Sequence, residues 1–261
     1  MTGASGGIGS AIARKLAGCG AAVGIHYNSS AAQARALADE PVFRSGGVSL
    51  CQADLTDEGA AEALWRTIGD ALGPIDILVA NAGCLDEIPL PLRHMDMAQW
   101  QRTLERNLTV TFLTMREFLR GIERWSIADP AAVIITSMSG VWGQPGHGDY
   151  AAAKAGMNYG LLPTVKDEIV KLAPRGRVNA IAPGFVATKM IRNKLRDVKA
   201  MKRALQTASL RKLATPDDIA NLAVFLASNE LSGHITGEVI RVTGGKEGRV
   251  LFDEAEISFM P

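Results

Sequence analysis

Three side chains in the middle of this chain have the types and spacing to move a proton. Tyr150 and Lys154 stand four positions apart in Tyr150-Ala151-Ala152-Ala153-Lys154, with Ser137 upstream in Ser137-Met138-Ser139-Gly140. On a helix a four-residue step returns to the same face about one turn along, so Lys154 is expected beside Tyr150. A phenol titrates near pH ~10 and is a poor acid or base at neutrality, but a neighbouring ammonium stabilises the phenolate and lowers its pKa. Tyr150 then becomes usable as a general acid/base, and with Ser137 the set could pass a proton to or from a substrate oxygen. The same spacing also arises on any solvated helix, so the rest of the chain must decide.

The elements that would carry these residues alternate. Short apolar or β-branched runs at Ala22–His26, Val48–Ala53, Ile75–Ala80, Ala132–Ser137, Arg177–Ile181 and Val239–Val242 read as strands. Helical periodicity falls between them, at Ile8–Ala17, Asp57–Leu72 with Thr56 as its expected N-cap, Asp96–Gly121, Tyr150–Lys171 and Pro216–Ala227. Such alternation is the pattern of parallel strands joined by crossover helices, an α/β fold with helices on both faces of one sheet. Pro163 falls inside the Tyr150 helix and is expected to kink or locally break it. In Thr2-Gly3-Ala4-Ser5-Gly6-Gly7-Ile8-Gly9, glycines sit directly before a helix. Without Cβ atoms that backbone can approach a pyrophosphate, which the free N–H groups and dipole of the helix start favour.

Composition narrows the classes. With 261 residues, 47% of them apolar, the chain can bury a large core and reads as a single domain spanning 1–261, its stretch 246–261 a tail with no assigned role. A formal net charge of +1 without blocks of like charge argues against nucleic acid as a partner. Cys19, Cys51 and Cys84 are widely spaced and odd in number, which suggests free buried thiols in a reducing, cytoplasmic compartment and no metal site. There is no signal-like start and no long apolar run, so no membrane association is expected.

From the glycine loop onward the chain resembles the short-chain dehydrogenase/reductase family, with 3-oxoacyl-(acyl carrier protein) reductase as the suggested type. The resemblance rests on T-G-x-x-x-G-I-G at 2–9, Asp54, Asn81-Ala82-Gly83, Asn107, Ser137/Tyr150/Lys154, Pro183-Gly184, Pro216-Asp217-Asp218-Ile219-Ala220, Ile235-Thr236-Gly237 and Gly244-Gly245, all in the family's order. It implies a Rossmann-type doubly wound parallel sheet. In that fold a buried middle strand precedes the glycine loop, whereas here only Met1 precedes Thr2, so the first strand is expected to be missing from the sequence, through a late start site or a lost upstream segment.

By the same resemblance, Gly3, Ser5, Gly7, Ile8 and Gly9 hold the pyrophosphate, and Asp54 and Leu55 flank the adenine. Asn81, Ala82 and Gly83 wall the adenosine ribose, while Pro183, Gly184, Val186 and Thr188 fix the nicotinamide carboxamide. Near the end of the second strand of this fold a carboxylate takes the ribose 2′-hydroxyl of NAD. Here Gly24-Ile25-His26-Tyr27-Asn28-Ser29-Ser30 offers none, and the uncharged donors after Tyr27, at Asn28, Ser29 and Ser30, suit a 2′-phosphate. NADP(H) is therefore favoured over NAD(H), although no Arg or Lys stands at Gly6 or Ser29, and Arg35 lies further along.

The implied reaction is hydride transfer between NADP(H) and a small carbonyl or secondary alcohol compound. Ser137 would hold the substrate oxygen, Tyr150 exchange the proton, Lys154 also grip the nicotinamide ribose, and Asn107 bind a water linking Lys154 to solvent. Asn107 has an alternative reading as a helix kink, Asp54 as a turn cap, and Ser139 as a pocket neighbour of Ser137. His147 and Asp149 invite a Ser-His-Asp reading, which depends on spatial geometry rather than nearness in sequence; His147 could instead face the substrate. Leu85, Met138, Trp142 and Met190–Leu210 are candidates for the pocket and its lid. An NAD-dependent alcohol dehydrogenase of the same family, or a truncated non-catalytic nicotinamide-binding protein, are the alternatives. A homodimer or homotetramer through the two long helices is expected.

Overall fold

The computed structural model describes residues 1–85, 88–188 and 198–257. Its strands are β1 (Val23–Tyr27), β2 (Val48–Gln52), β3 (Ile77–Ala80), β4 (Ala131–Ile135), β5 (Arg177–Pro183) and β6 (Val239–Val242), and every pairing among them is parallel. β1 and β2 form one ladder and β3-β4-β5-β6 another. Between the two ladders runs the Met1–Ala4 backbone: Thr2 N donates to Val79 O at 3.0 Å, Ala4 N to His26 O at 2.9 Å, and His26 N to Met1 O at 3.2 Å. The glycine loop is thus pinned to both halves of the sheet at the ends of their strands.

The strands are apolar without alternation because both faces are covered; β4 and β5 are buried at every position. On one face lie α1 (Gly7–Gly18) and α10 (Pro216–Ala227), closing a core around Ile12, Ile25, Val133, Ile181 and Ile219. On the other lie α3 (Glu58–Leu72), α5 (Val110–Trp125) and α8 (Leu162–Leu172), around Leu78, Phe118, Ile122, Ile134 and Ile169. The doubly wound α/β architecture expected from the sequence is therefore present. No helix of the described residues is long and apolar enough to cross a membrane.

Several local expectations change. Asp57, not Thr56, caps α3, because its carboxylate accepts from Ala60 N; Thr56 instead donates to Asp54. The two long helices are each interrupted by a π-turn. Met97–Leu104 (α4) passes through Glu105–Thr109 into α5, and Gly148–Gly156 (α7) passes through Met157–Leu161 into α8. Pro163 lies in the first turn of α8, where its missing N–H is least costly, just past the second π-turn. A helix over Ala31–Ala38 (α2) was not anticipated: the segment is alanine-rich and its N-cap Ser30 makes no side-chain capping bond. The cysteines are free, but Cys19 is exposed and Cys51 and Cys84 only half-buried, not buried thiols.

Candidate active site

The glycine loop is shaped by close approach. A Cβ at Gly9 would stand 2.3 Å from Gly3 O, and one at Gly7 2.8 Å from Thr188 Cγ2. Gly3 has φ +60, where a side chain would in addition meet Ala82 Cα at 3.0 Å. α1 starts at Gly6 with no side-chain cap, leaving its first N–H groups to face outward. Neighbours hold the loop. Asn81 Nδ2 donates to Thr2 O and Gly3 O, both at 3.1 Å, and Thr2 Oγ1 accepts from Asn81 N and Ala82 N. His26 closes the joint, its Nδ1 accepting from Gly3 N at 3.1 Å while Nε2 contacts Ala53 O at 3.0 Å. Burial holds the His26 pKa down at about 4, so the ring is neutral and Nδ1 is free to accept.

Around this loop lies a cleft of about 560 Å³ lined by Ser5, Gly7, Ile8, Gly9, Asn81, Ala82, Gly83 and Thr188, with Arg14, Ser30 and Gln33 further along. The uncapped helix start, the glycine backbone and the length of the cleft fit a dinucleotide pyrophosphate. Tyr27 does not border this cleft: it is buried in the core, and Asn28 and Ser29 are exposed beyond the cleft wall. Ser30 and Gln33 stand nearer. Leu55 points into the core, and Asp54 forms the turn-capping bonds to Thr56, at 3.0 Å from its N–H and 2.8 Å from its hydroxyl. Arg14 went unnoticed in the sequence because it lies one helical turn past the loop, and Glu40 engages it at two points of 2.7 Å.

Ser137, Tyr150 and Lys154 do converge. Ser137 and Tyr150 line one cavity, Ser137 Oγ donating to Ser139 Oγ at 3.2 Å, and Lys154 Nζ lies 5.6 Å from the centroid of the Tyr150 ring. Lys154 Nζ donates to Ile135 O at 3.2 Å, and burial pushes its pKa down to about 8. The phenol differs from expectation: burial pushes Tyr150 up to about 12, outweighing the Ser137 hydrogen bond that lowers it. At neutral pH Tyr150 is therefore a protonated donor rather than a phenolate. Ser139 backs Ser137, giving its N–H to Ser137 Oγ at 3.1 Å, and Ser139 Oγ in turn donates to Gln144 Oε1 at 2.5 Å.

Asn107 occupies the first π-turn. Its Nδ2 donates to Cys84 O at 2.9 Å and to Thr103 O at 3.0 Å, so it shapes the bend as the alternative reading held. Its Oδ1 is buried with no hydrogen-bond partner among the described residues. A Cβ at Gly83 would come within 2.6 Å of that oxygen and 3.4 Å of Lys154 Nζ, so both atoms border the space above Gly83. Val186 is buried and bridges to Ala214, and Thr188 packs on Gly7. Pro183 ends β5 and accepts from Met138 N.

Tyr150 opens on a second cavity of about 350 Å³ shared with Ser137, Leu85, Met138, Ser139 and Gly184. Trp142 is absent from its wall and stacks with Arg241. His147 is buried behind the wall at the start of α7. Asp149 is taken by Thr103 Oγ1 at 2.7 Å, Gln99 Nε2 at 3.3 Å and Tyr150 N at 2.8 Å, so the His147/Asp149 pair builds a helix joint and no Ser-His-Asp relay. Of the anticipated lid, residues 190–197 lie outside the described residues, while α9 (Val198–Leu205) brings Arg203 and Ala204 to the cavity. The tail, which the sequence left without a role, supplies Lys246, Arg249 and Val250.

A glycine-bent loop before a helix, abutting a Ser/Tyr/Lys cluster at the strand ends, defines a Rossmann-type oxidoreductase. Comparison with known proteins agrees: the family model described as enoyl-(acyl carrier protein) reductase matches residues 3–247. A 3-oxoacyl-(acyl carrier protein) reductase of Synechocystis is 36% identical over 94% of each chain. A cis-4-hydroxycyclohexanecarboxylate dehydrogenase of Sinomonas cyclohexanicum is 37% identical, also over 94% of each chain, and a nodulation protein G of Rhizobium 38% over the same shares. The chain belongs to the short-chain dehydrogenase/reductase family.

Proposed function

We propose that the protein reduces a carbonyl compound to a secondary alcohol with NADPH, Tyr150 acting as the acid. The observation that carries this reading is the neutral Tyr150 phenol, which shares with Ser137 a cavity near the glycine-loop cleft. When bound, the nicotinamide supplies the hydride. Ser137 would orient the carbonyl oxygen, and Tyr150 would give that oxygen its proton to complete the alcohol. Lys154 stands behind the phenol, and its ammonium stabilises the tyrosinate left behind. Asn107 Oδ1, unpartnered and facing the same space as Lys154, suits a water that returns the proton. Gly3, Gly7 and Gly9 receive the pyrophosphate, with Asn81 and Gly83 beside the ribose and Gly184, Val186 and Thr188 beside the carboxamide.

NADP(H) is preferred because no carboxylate follows β1 and Ser30 and Gln33 offer uncharged donors in the cleft. A homo-oligomer is assembled through the two long helices, where Phe112 and Tyr159 are exposed at 44% and 63%. Substrates of the 3-oxoacyl thioester type, which one of the three relatives is named for, and oxo forms of ring alcohols, which another is named for, are the first to assay. Tyr150→Phe tests the mechanism. Turnover is expected to fall at least about 100-fold while NADPH affinity, read by fluorescence titration, stays within about twofold; near-normal turnover would retire Tyr150 as the acid.

A further inference from the structure

The cavity at Tyr150 carries more positive charge than its own chain balances. Three cations line it: Arg203, Lys246 and Arg249. Arg203 is committed, its Nη1 lying 2.7 Å from Asp253 Oδ1 and its Nε donating to Val250 O at 3.3 Å. Lys246 is 7% exposed, donates once, to Ala204 O at 2.7 Å, and lies 5.6 Å from the centre of the Phe185 ring. Arg249 is half-buried and donates to Gly143 O. Among the described residues neither Lys246 nor Arg249 forms an ion pair; burial and the Arg249 charge both depress the Lys246 pKa, and burial depresses that of Arg249. Burying like charges together without an anion is costly, and a carboxylate placed between them would offset that cost with charge-assisted hydrogen bonds.

The segment bearing these cations is fastened over the cavity. Glu247 N donates to Thr207 O at 3.0 Å and Thr207 Oγ1 to Gly248 O at 2.8 Å. The rest of the wall between the cations and Tyr150 is largely hydrocarbon, from Leu85, Met138, Pro145, Phe185 and Val250. The cavity thus combines the Tyr150 and Ser137 hydroxyls, an apolar lining and two cations.

We propose that the substrate is a compact, hydrophobic carbonyl or alcohol compound bearing a free carboxylate, held by Lys246 and Arg249. The proposal rests on the oxidoreductase reading above and adds its substrate class. The volume of about 350 Å³ suits a small molecule.

The test compares 4-oxocyclohexanecarboxylate with its methyl ester as NADPH-linked substrates of the full chain. The acid is expected to exceed the ester in kcat/KM by at least about tenfold, a modest return for a charge-assisted contact. In Lys246→Met and in Arg249→Gln that ratio is expected to collapse toward one, chiefly through KM; circular dichroism melts establish that each variant folds. An ester reduced as well as the acid by the wild type overturns the carboxylate assignment and leaves the reductase reading intact. If neither compound is reduced, calorimetric binding of cyclohexanecarboxylate against its methyl ester decides the inference separately: equal binding, or binding insensitive to both substitutions, overturns it. Acetoacetyl-coenzyme A and its phosphate-free N-acetylcysteamine analogue form the last arm. A preference for the former that Lys246→Met abolishes would overturn the assignment in favour of a carrier phosphate.

Discussion

Gly140→Ala adds one methyl group where two backbones meet, and its effect can be worked from the contacts. Gly140 sits in the short helix α6 (Ser139–Trp142), two residues past Met138 and three past Ser137, and packs on the backbone of α7. A Cβ there would lie 2.5 Å from Lys154 C, 2.7 Å from Lys154 O and 2.8 Å from Ala155 N. All three are backbone atoms of the helix carrying Tyr150 and Lys154, so no side-chain rotation relieves the clash. Restoring the ordinary contact of 3.4 Å requires α6 and α7 to part by about 0.9 Å. That displacement separates Ser137 from Tyr150, and a misplacement of about 1 Å costs on the order of 100-fold in rate. Overpacking costs about 1–3 kcal/mol besides. Steady-state NADPH oxidation with a substrate from the panel above, a calorimetric melt, and cofactor titration together make the assay. We expect kcat to fall by one to two orders of magnitude, Tm to drop by several degrees, and NADPH affinity to hold, since the glycine loop is remote from α6. Gly160→Ala is the control: nothing lies within 4 Å of its Cβ position, so activity should be retained. A Gly140→Ala enzyme with wild-type kcat and Tm would refute the claim that this backbone contact sets the Ser137–Tyr150 geometry.

Other perturbations report on other joints. Gly9→Ala is expected to abolish measurable NADPH binding, because the new methyl would stand 2.3 Å from Gly3 O and must unfold the loop that receives the pyrophosphate; retained affinity by titration would count against that cradle. His26, neutral and held at about 4, binds fewer protons folded than unfolded between that value and its ordinary ~6.5. Its contribution is therefore complete above pH ~6.5 and is lost as pH falls toward 4, an effect of up to about 3 kcal/mol that denaturant titrations at a series of pH values would detect. His26→Gln should flatten that slope. Arg177→Met leaves Leu226 O, Ser232 O and Asn229 Oδ1 without their guanidinium donor, so a loss of about 2–4 kcal/mol is expected by chemical denaturation.

What the sequence made legible was what periodicity and glycine express. The strand runs and helical stretches marked the α/β order because both faces of a parallel sheet must be covered, and α10 spans the expected Pro216–Ala227 to the residue. The Ser137, Tyr150 and Lys154 cluster was visible because helix geometry fixes a four-residue step. Long-range joints were not visible. His26 reads as one more strand residue until Gly3 and Ala53 stand on either side of its ring. The Tyr150 pKa ran opposite to the spacing argument because burial, which no local pattern encodes, outweighs the lowering by Ser137, while the lysine is aimed at Ile135 O. Lys246 and Arg249 looked like an unassigned tail for the same reason: their place over the cavity depends on α9 and Thr207, some forty residues earlier in the chain.

The π-turn at Glu105–Thr109 contains one residue more than an α-turn of the same rise would use. Removing a single residue there would let α4 and α5 fuse into one unbroken helix while each flank kept its own face, α4 toward Asp149 and α5 toward α3 and β3. Only the inward carboxamide at position 107 would be surrendered. Under the proposed mechanism that carboxamide is separable from the helical scaffold by a one-codon deletion, and the deletion variant should keep its helix content yet turn over as slowly as Asn107→Ala.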